Sequence, residues 1–331
     1  MRLLPVACRL FTVVLFACGG ADPSTEADEE SAELSAKPRI QILVTVDWEG
    51  QDLRQENIQA MHDFRTQMPS VRMVQFLNAA YFTKPGANAT DVKAKIHQAI
   101  LPTDERGLHI HGWKRLVEAS GVAFRSKPSF WGPQYPLQDD CSFDCGHEIA
   151  ISAYTEPEME KIVRFSIDTL YANGFGHAKS FRAGGWMANE NVRQAIVSEG
   201  ITWDSSAVPS TFLAGELHGL PLLDWVGTMW KGTTDTSQPY AISTSAGTLK
   251  EAPDNGALAD YATADEMFQT FLDNEAAFQN DKKTRTIVIG FHEETAAKYI
   301  YRVKDALQRM FDRAAQDKVP VSVVTTRSVR L

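Results

Sequence analysis

From Pro38 to Thr326 the chain alternates short β-rich apolar runs with stretches whose apolar residues recur at helical spacing, and this alternation limits the folds open to it. The runs are "IQILVTV", "VRMVQFL", "GLHIHGW", "SFRAGGW", "GITWDSS", "TRTIVIGFHEE" and "VPVSVVTT". Between them, Ile58, Met61, Phe64 and Met68 mark one helical face, Met159, Ile162, Val163, Ile167, Leu170 and Tyr171 a second, and Ile300, Val303, Leu307, Met310 and Phe311 a third. Further helices are expected near 88–100, capped by Asn88 or Thr90, and at 188–199 and 263–279. Strand and helix in turn mean an α/β fold, with a mostly parallel sheet and helices outside it, either an open doubly wound sheet or a barrel. Residues 114–150, rich in Pro, Ser, Gly and Asp, read as a long excursion, and residues 207–250 as irregular with strand-like pieces around "LPLLDWV".

The 331 residues carry a net charge of −9, and the body after Pro38 is mildly acidic, which excludes the basic face a nucleic-acid binder needs. The N-terminus is read as a signal peptide over residues 1–17: Arg2 and Arg9 precede "LFTVVLFA", an apolar core too short for a lasting transmembrane helix. The sequence "LFACGG" resembles a bacterial lipobox, which implies lipid on Cys18, a membrane anchor, and a cell-envelope lipoprotein of the outer membrane or another extracytoplasmic site. Residues 18–37, acidic and poor in large apolar side chains, are expected to be a flexible tether, with the folded domain spanning 38–331. In an oxidising compartment, Cys141 and Cys145 of "DDCSFDCGHE" are expected to form a small disulfide rather than a thiolate metal site.

Polar residues recur where the strand runs end: Asp47 and Glu49, His109 and His111, Arg182, Asp204, and His292. In a parallel α/β barrel those C-terminal edges share one face, where the chemistry sits. A carboxylate with two imidazoles suits a divalent ion such as Zn²⁺ with a position left for water. A second carboxylate can take a proton from that water, a histidine can donate to a leaving group, and an arginine can hold a carboxylate through paired hydrogen bonds. Together these are the parts of a metal-assisted hydrolase.

Five motifs in order, "TVDWEG", "HIHGW", "RAGGW", "WDSS" and "GFHEE", give the chain a resemblance to the polysaccharide deacetylases of the NodB-homology type, carbohydrate esterase family four, over about residues 39–326. The resemblance implies a deformed (β/α) barrel and removal of N-acetyl or O-acetyl groups from an acetylated polysaccharide with one divalent ion, Zn²⁺ foremost, Co²⁺ or Ni²⁺ as alternatives. It implies that Asp47 is the base, that Glu49, His109 and His111 hold the metal, that Arg182 orients Asp47, and that His292 is the acid. Trp186 and Asp204 would shape the groove. Two departures stand out: Trp48 separates the two acids, which the family pattern keeps adjacent, and the histidines are two apart rather than four, with Trp113 at the position of the second. On a strand, side chains two apart share a face, so His109 and His111 can still reach one ion.

Aromatic faces suit sugar rings, and Trp113 joins Trp186 and Asp204 as a candidate substrate contact, although core packing is the simpler account of any single tryptophan. His62, His97, His177 and His218 read as surface residues, and His147 as one the long excursion could fold over the site. The "HIH" pair also resembles that of metal amidohydrolases, but there the pair ends the first strand, which here ends in Asp47. A surface-anchored carbohydrate-binding protein on the same scaffold is the non-catalytic alternative.

Overall fold

β1 (Ile40–Asp47) is buried along its whole length, because neighbours occupy both of its edges. β8 (Arg285–His292) runs parallel along one edge from Ile40 to Asp47, while β2 (Met73–Leu77) takes the other edge from Val44 onward and β9 (Val321–Val323) fills that edge at Ile40–Ile42. A strand with no free edge and both faces covered tolerates few polar side chains, which is why "IQILVTV" reads as a nearly continuous apolar run. Outward from β2 follow β3 (Glu105–Ile110), β4 (Ser180–Ala183), β5 (Trp203–Asp204) and a hairpin of β6 (Tyr240–Thr244) and β7 (Gly247–Glu251), giving the order β6-β7-β5-β4-β3-β2-β1-β8 with β9 beside β1. All pairings are parallel except that of β6 with β7. The computed structural model describes residues 37–132 and 141–331. The signal peptide, Cys18 and all of the tether but Lys37 lie outside the described residues.

Irregular backbone links the two ends of this curled sheet. Past β7, Ala252 N donates to Asp204 O (2.8 Å) and Asp254 N to Ala207 O (2.7 Å) on the β5 side. A few residues on, Gly256 N donates to Val288 O (2.8 Å) and Ala259 N to Gly290 O (2.8 Å) on the β8 side. The result is a deformed (β/α) barrel, closed by a segment rather than by a strand.

The outer helices are α1 (Gln55–Gln67), α2 (Ala89–Ala99), α3 (Lys114–Ala119), α4 (Glu156–Ala172), α5 (Glu190–Ser198), α6 (Ser210–Leu213), α7 (Pro221–Met229), α8 (Ala264–Asp281) and α9 (Ala296–Asp317). Asn88 caps α2 by accepting from Thr90 N and Asp91 N. A reciprocal capping box starts α8, where Glu266 N donates to Thr263 Oγ1 and Thr263 N to Glu266 Oε2. α9 buries Ile300, Val303, Leu307 and Met310, whereas on α4 the expected apolar face stops at Leu170, since Tyr171 is exposed and stacks on His177. Residues 38–331 form one compact unit, and among the described residues no helix is long and apolar enough to cross a membrane.

The region 207–250 departs most from its reading. "LPLLDWV" is not strand but the start of α7, whose first residue, Pro221, presets a helical φ and lacks the N–H that a first helical turn leaves unpaired. The β6–β7 hairpin hides in a polar stretch, because most of its side chains face water and show no apolar alternation.

Gly290 lies where the closing segment crosses β8. A Cβ there would stand 2.5 Å from the Thr45 carbonyl oxygen on β1. Gly290→Ala is therefore expected to lower the unfolding free energy by about 2 kcal/mol or more in urea titrations, whereas Gly215→Ala, which meets nothing within 4 Å, should leave the midpoint nearly unchanged.

Candidate metal centre and active site

Glu49 sits two residues past the end of β1, and its main chain is fixed before its side chain acts. Trp48 N donates to Phe76 O (3.1 Å) and its indole to Gln75 Oε1 (2.9 Å), burying the ring. The Glu49 carbonyl then accepts from Asn78 Nδ2 (3.1 Å) and from the Trp113 indole (2.8 Å). Trp113 is 1 % exposed, with the Lys84 ammonium 3.5 Å over its ring, so the structure assigns it to clamping Glu49 rather than to the substrate groove.

Four imidazoles converge on the Glu49 carboxylate. His109 Nε2 and His292 Nε2 lie 3.3 and 3.5 Å from Oε1, and His111 Nε2 and His147 Nε2 each lie 2.7 Å from Oε2. His109 is on β3 and His111 just beyond it, and the strand's two-residue period turns both inward. Gly184 makes this possible, since a Cβ there would fall 2.7 Å from atoms of the His111 ring. His109 Nδ1 donates to Arg182 O (2.8 Å) and His111 Nδ1 to His147 O (2.7 Å). A carbonyl can only accept, so both rings carry a proton on Nδ1 and turn Nε2 toward Glu49.

Nitrogen lone pairs facing carboxylate oxygens need a positive charge between them, either protons or a metal ion. Ligand atoms of Glu49, His109 and His111 lie within 4.8 Å of one another, as do those of Asp47, Glu49 and His292 and of Glu49, His147 and Glu294. Atoms bound to Zn²⁺ at about 2.0–2.2 Å necessarily lie about 3 Å apart, so this donor set fits a divalent ion. Backbone carbonyls on the outer nitrogens of His109 and His111 complete the pattern usual for metal-binding imidazoles. Without the ion, burial works against the Glu49 charge, but His111 and His292 and the bonds from His109 and His111 outweigh it and hold the carboxyl well below the usual range.

Asp47 is set by Arg182, which is fully buried. Its Nη1 donates to Asp47 Oδ1 (3.1 Å) and Thr45 Oγ1 (2.9 Å), Nε to Ser205 O (2.7 Å) and Nη2 to Ser205 Oγ (2.8 Å), and Nη2 pairs with Asp254 Oδ1 at 3.4 Å. Four hydrogen bonds and one ion pair surround the guanidinium, so the fork cannot turn freely. Across the cavity His292 Nδ1 meets Asp260 Oδ2 at 2.9 Å. Burial lowers the His292 pKa, but Asp260 and Glu49 overcome it and raise it well above the usual histidine value.

Asp204 does not reach the cavity. It is 1 % exposed, its Oδ1 accepts from Ser205 N (2.9 Å) and Ser206 Oγ (2.6 Å), and its other face meets Glu251. Burial pushes Asp204 up to about 6 and Glu251, which faces it, well above the carboxylate range. The expected groove residue is thus a support for Ser205 and Ser206, which hold Arg182 and the Ala183 amide.

Trp186 does line the cavity, with Phe130, Trp131, Leu222 and Tyr261, and its indole donates to Asp254 Oδ2 (3.1 Å). Cys141 and Cys145 form a disulfide. His147 enters from the excursion, the one member of the four imidazoles for which no strand end gave a signal. Asp260 and Tyr261 were invisible in the sequence, since "LADYATADE" carries no feature that separates them from a surface turn. His62, His97, His177 and His218 are exposed.

No family model matches the sequence, and no curated protein matches it. Among solved structures, a putative polysaccharide deacetylase from Mycobacterium smegmatis aligns over 89 % of this chain and 96 % of its own at 12 % identity and a TM-score of 0.45. A probable polysaccharide deacetylase from Pseudomonas aeruginosa PAO1 aligns over 88 % and 89 % at 13 % identity and 0.46. Puue allantoinase aligns over 88 % and 89 % at 12 % identity and 0.49. At these values the chemistry has to come from the side chains themselves.

Removing the guanidinium leaves Asp47 and Asp254 buried without their cation. Arg182→Met is expected to destabilise the fold by about 3–5 kcal/mol in chemical denaturation, while His62→Ala at the exposed surface should stay within about 0.5 kcal/mol.

Proposed function

We propose that the chain is a metal-dependent hydrolase that removes N-acetyl or O-acetyl groups from an extracytoplasmic polysaccharide. The observation that carries this reading is the meeting, in one cavity, of a carboxylate–imidazole donor set, a second carboxylate immobilised by Arg182, and a histidine backed by a carboxylate on the opposite side. A divalent ion held by Glu49, His109 and His111 would polarise the scissile carbonyl and acidify a bound water.

Asp47 is placed to accept the proton of an attacking water. Its Oδ1 is held by Arg182, which leaves Oδ2 to face the cavity and keeps the acceptor from rotating away. His292 donates from Nε2 to the departing nitrogen or oxygen, and Asp260 on Nδ1 fixes the ring's orientation and favours its protonated form. The cavity is small, about 50 Å³, which suits a short acyl group at its floor, and the ring faces of Trp131, Trp186 and Tyr261 at its walls suit contact with a sugar.

The N-terminal reading supports an extracytoplasmic substrate: lipid on Cys18 and an acidic tether would keep the catalytic unit at a membrane surface while letting it search nearby polymer. Zn²⁺ is the first choice of ion for a borderline N/O donor set, with Co²⁺ and Ni²⁺ as substitutes.

Purified protein is expected to hold about one divalent ion per chain and to release acetate from at least one of chitin oligomers, peptidoglycan and acetylated xylan. Chelation should abolish release and Zn²⁺ or Co²⁺ should restore it; full activity in metal-free protein would overturn the mechanism. Asp47→Asn and His292→Ala should each cut turnover by about a hundredfold or more with unchanged circular dichroism, and rates within a few fold of wild type would remove those roles. Cys18→Ser should abolish incorporation of labelled palmitate and free the protein from the membrane fraction without altering its specific activity; a wild-type protein that takes up no label replaces the anchor with a simple secretory signal.

A further inference from the structure

We propose that His147 is a fourth protein ligand of the divalent ion, delivered by the excursion between α3 and α4 rather than by a barrel strand; this rests on the metal-dependent reading above. Its Nε2 lies 2.7 Å from Glu49 Oε2, the same separation as that of His111 Nε2 from the same oxygen. The two rings stack with centroids 4.2 Å apart and planes 17° from parallel. A ligand atom of His147 lies within 4.8 Å of those of Glu49 and Glu294, a group that shares Glu49 with His109 and His111.

The segment that carries His147 is built to hold it there. Cys145 O accepts from Lys114 N (2.8 Å), Gly146 O from Ile149 N (3.0 Å), and Glu148 O from Phe130 N (2.9 Å). The buried Asp144 side chain accepts from Arg115 N (3.1 Å) and Cys145 N (3.0 Å) and pairs with Lys84 at 3.2 Å. The Cys141–Cys145 disulfide closes the same turn. His147 also supplies its carbonyl to His111 Nδ1 (2.7 Å), so one residue serves the site twice, through its ring and through its backbone. A ring positioned by this many fixed points needs little ordering when the ion binds, and that saving appears as affinity.

Three imidazoles and Glu49 would give the ion one protein ligand more than the three usual in catalytic zinc sites. The site should then hold its metal more tightly than Glu49, His109 and His111 could alone.

The test is zinc affinity measured by competition with a chromophoric chelator, together with the visible spectrum of the Co²⁺-loaded protein, for wild type, His147→Ala, His147→Gln and His109→Ala. Both His147 variants keep the backbone carbonyl, so any change they produce belongs to the ring. The expected result is a loss of zinc affinity of at least about tenfold in both, with a Co²⁺ spectrum altered in shape and intensity and unchanged circular dichroism. Wild-type affinity and an unaltered spectrum in both variants, alongside a loss in His109→Ala, would overturn the role of His147 and leave the metal site standing. A wild-type protein that binds neither ion would overturn both readings.

Discussion

One buried guanidinium organises this molecule. Arg182 projects from β4 and bonds to β1 through Thr45 and Asp47, to the turn after β5 through Ser205, and to the closing segment through Asp254. A charge without solvent survives only if every donor finds a partner, so the sheet must curl until all these acceptors surround it. The curl that satisfies Arg182 also brings the ends of β1, β3, β4 and β8 to one cavity. Asp47 is fixed by the same bonds, so stability and the placing of the candidate base are one problem with one solution.

Charge balance explains the acids around it. Asp254, Asp204 and Glu251 are also buried, with Arg182 acting on Asp254 and Glu251 and Arg193 on Asp204. Burial nonetheless raises Asp254 and Asp204 to about 6 and Glu251 well above its usual range, so these acids take up protons more readily than exposed carboxylates do. Glu49 goes the other way because the charges of His111 and His292 and the bonds from His109 and His111 outweigh its burial. The imidazoles around Glu49 thus favour its charge, while burial raises Asp204, Glu251 and Asp254.

How much of this was legible follows from where each residue lies. Strand-end residues could be found because a buried β-run makes a polar side chain at its edge conspicuous; Asp47, Glu49, His109, His111, Arg182 and His292 were all visible in this way and all gather at the cavity or its floor. Asp204 was equally conspicuous, yet a strand end fixes only the height of a side chain in the barrel, not its direction, and Asp204 turns outward to Glu251. Trp113 misled for a similar reason: ring count says nothing about whether an indole meets a ligand or a backbone carbonyl. α7 and the β6–β7 hairpin were missed because one is a short apolar run with no decisive period and the other an exposed polar edge. His147 and Asp260 lie on irregular segments, where sequence gives no register.

The two-residue histidine spacing gains a physical account once Trp113 and His147 are considered together. β3 remains extended through Ile110, so His109 and His111 share a face by strand period, and a third residue on that face would be position 113. That position instead begins the turn into α3, and its indole reaches the Glu49 carbonyl. The clamped segment of the excursion brings His147 Nε2 to 2.7 Å from Glu49 Oε2. Trp113 holds the backbone of Glu49, and a different segment turns a further ring nitrogen to its carboxylate. A cluster assembled from one strand position, the residue just beyond that strand and one loop position has no single linear motif, because Glu49 meets ring nitrogens, not sequence intervals.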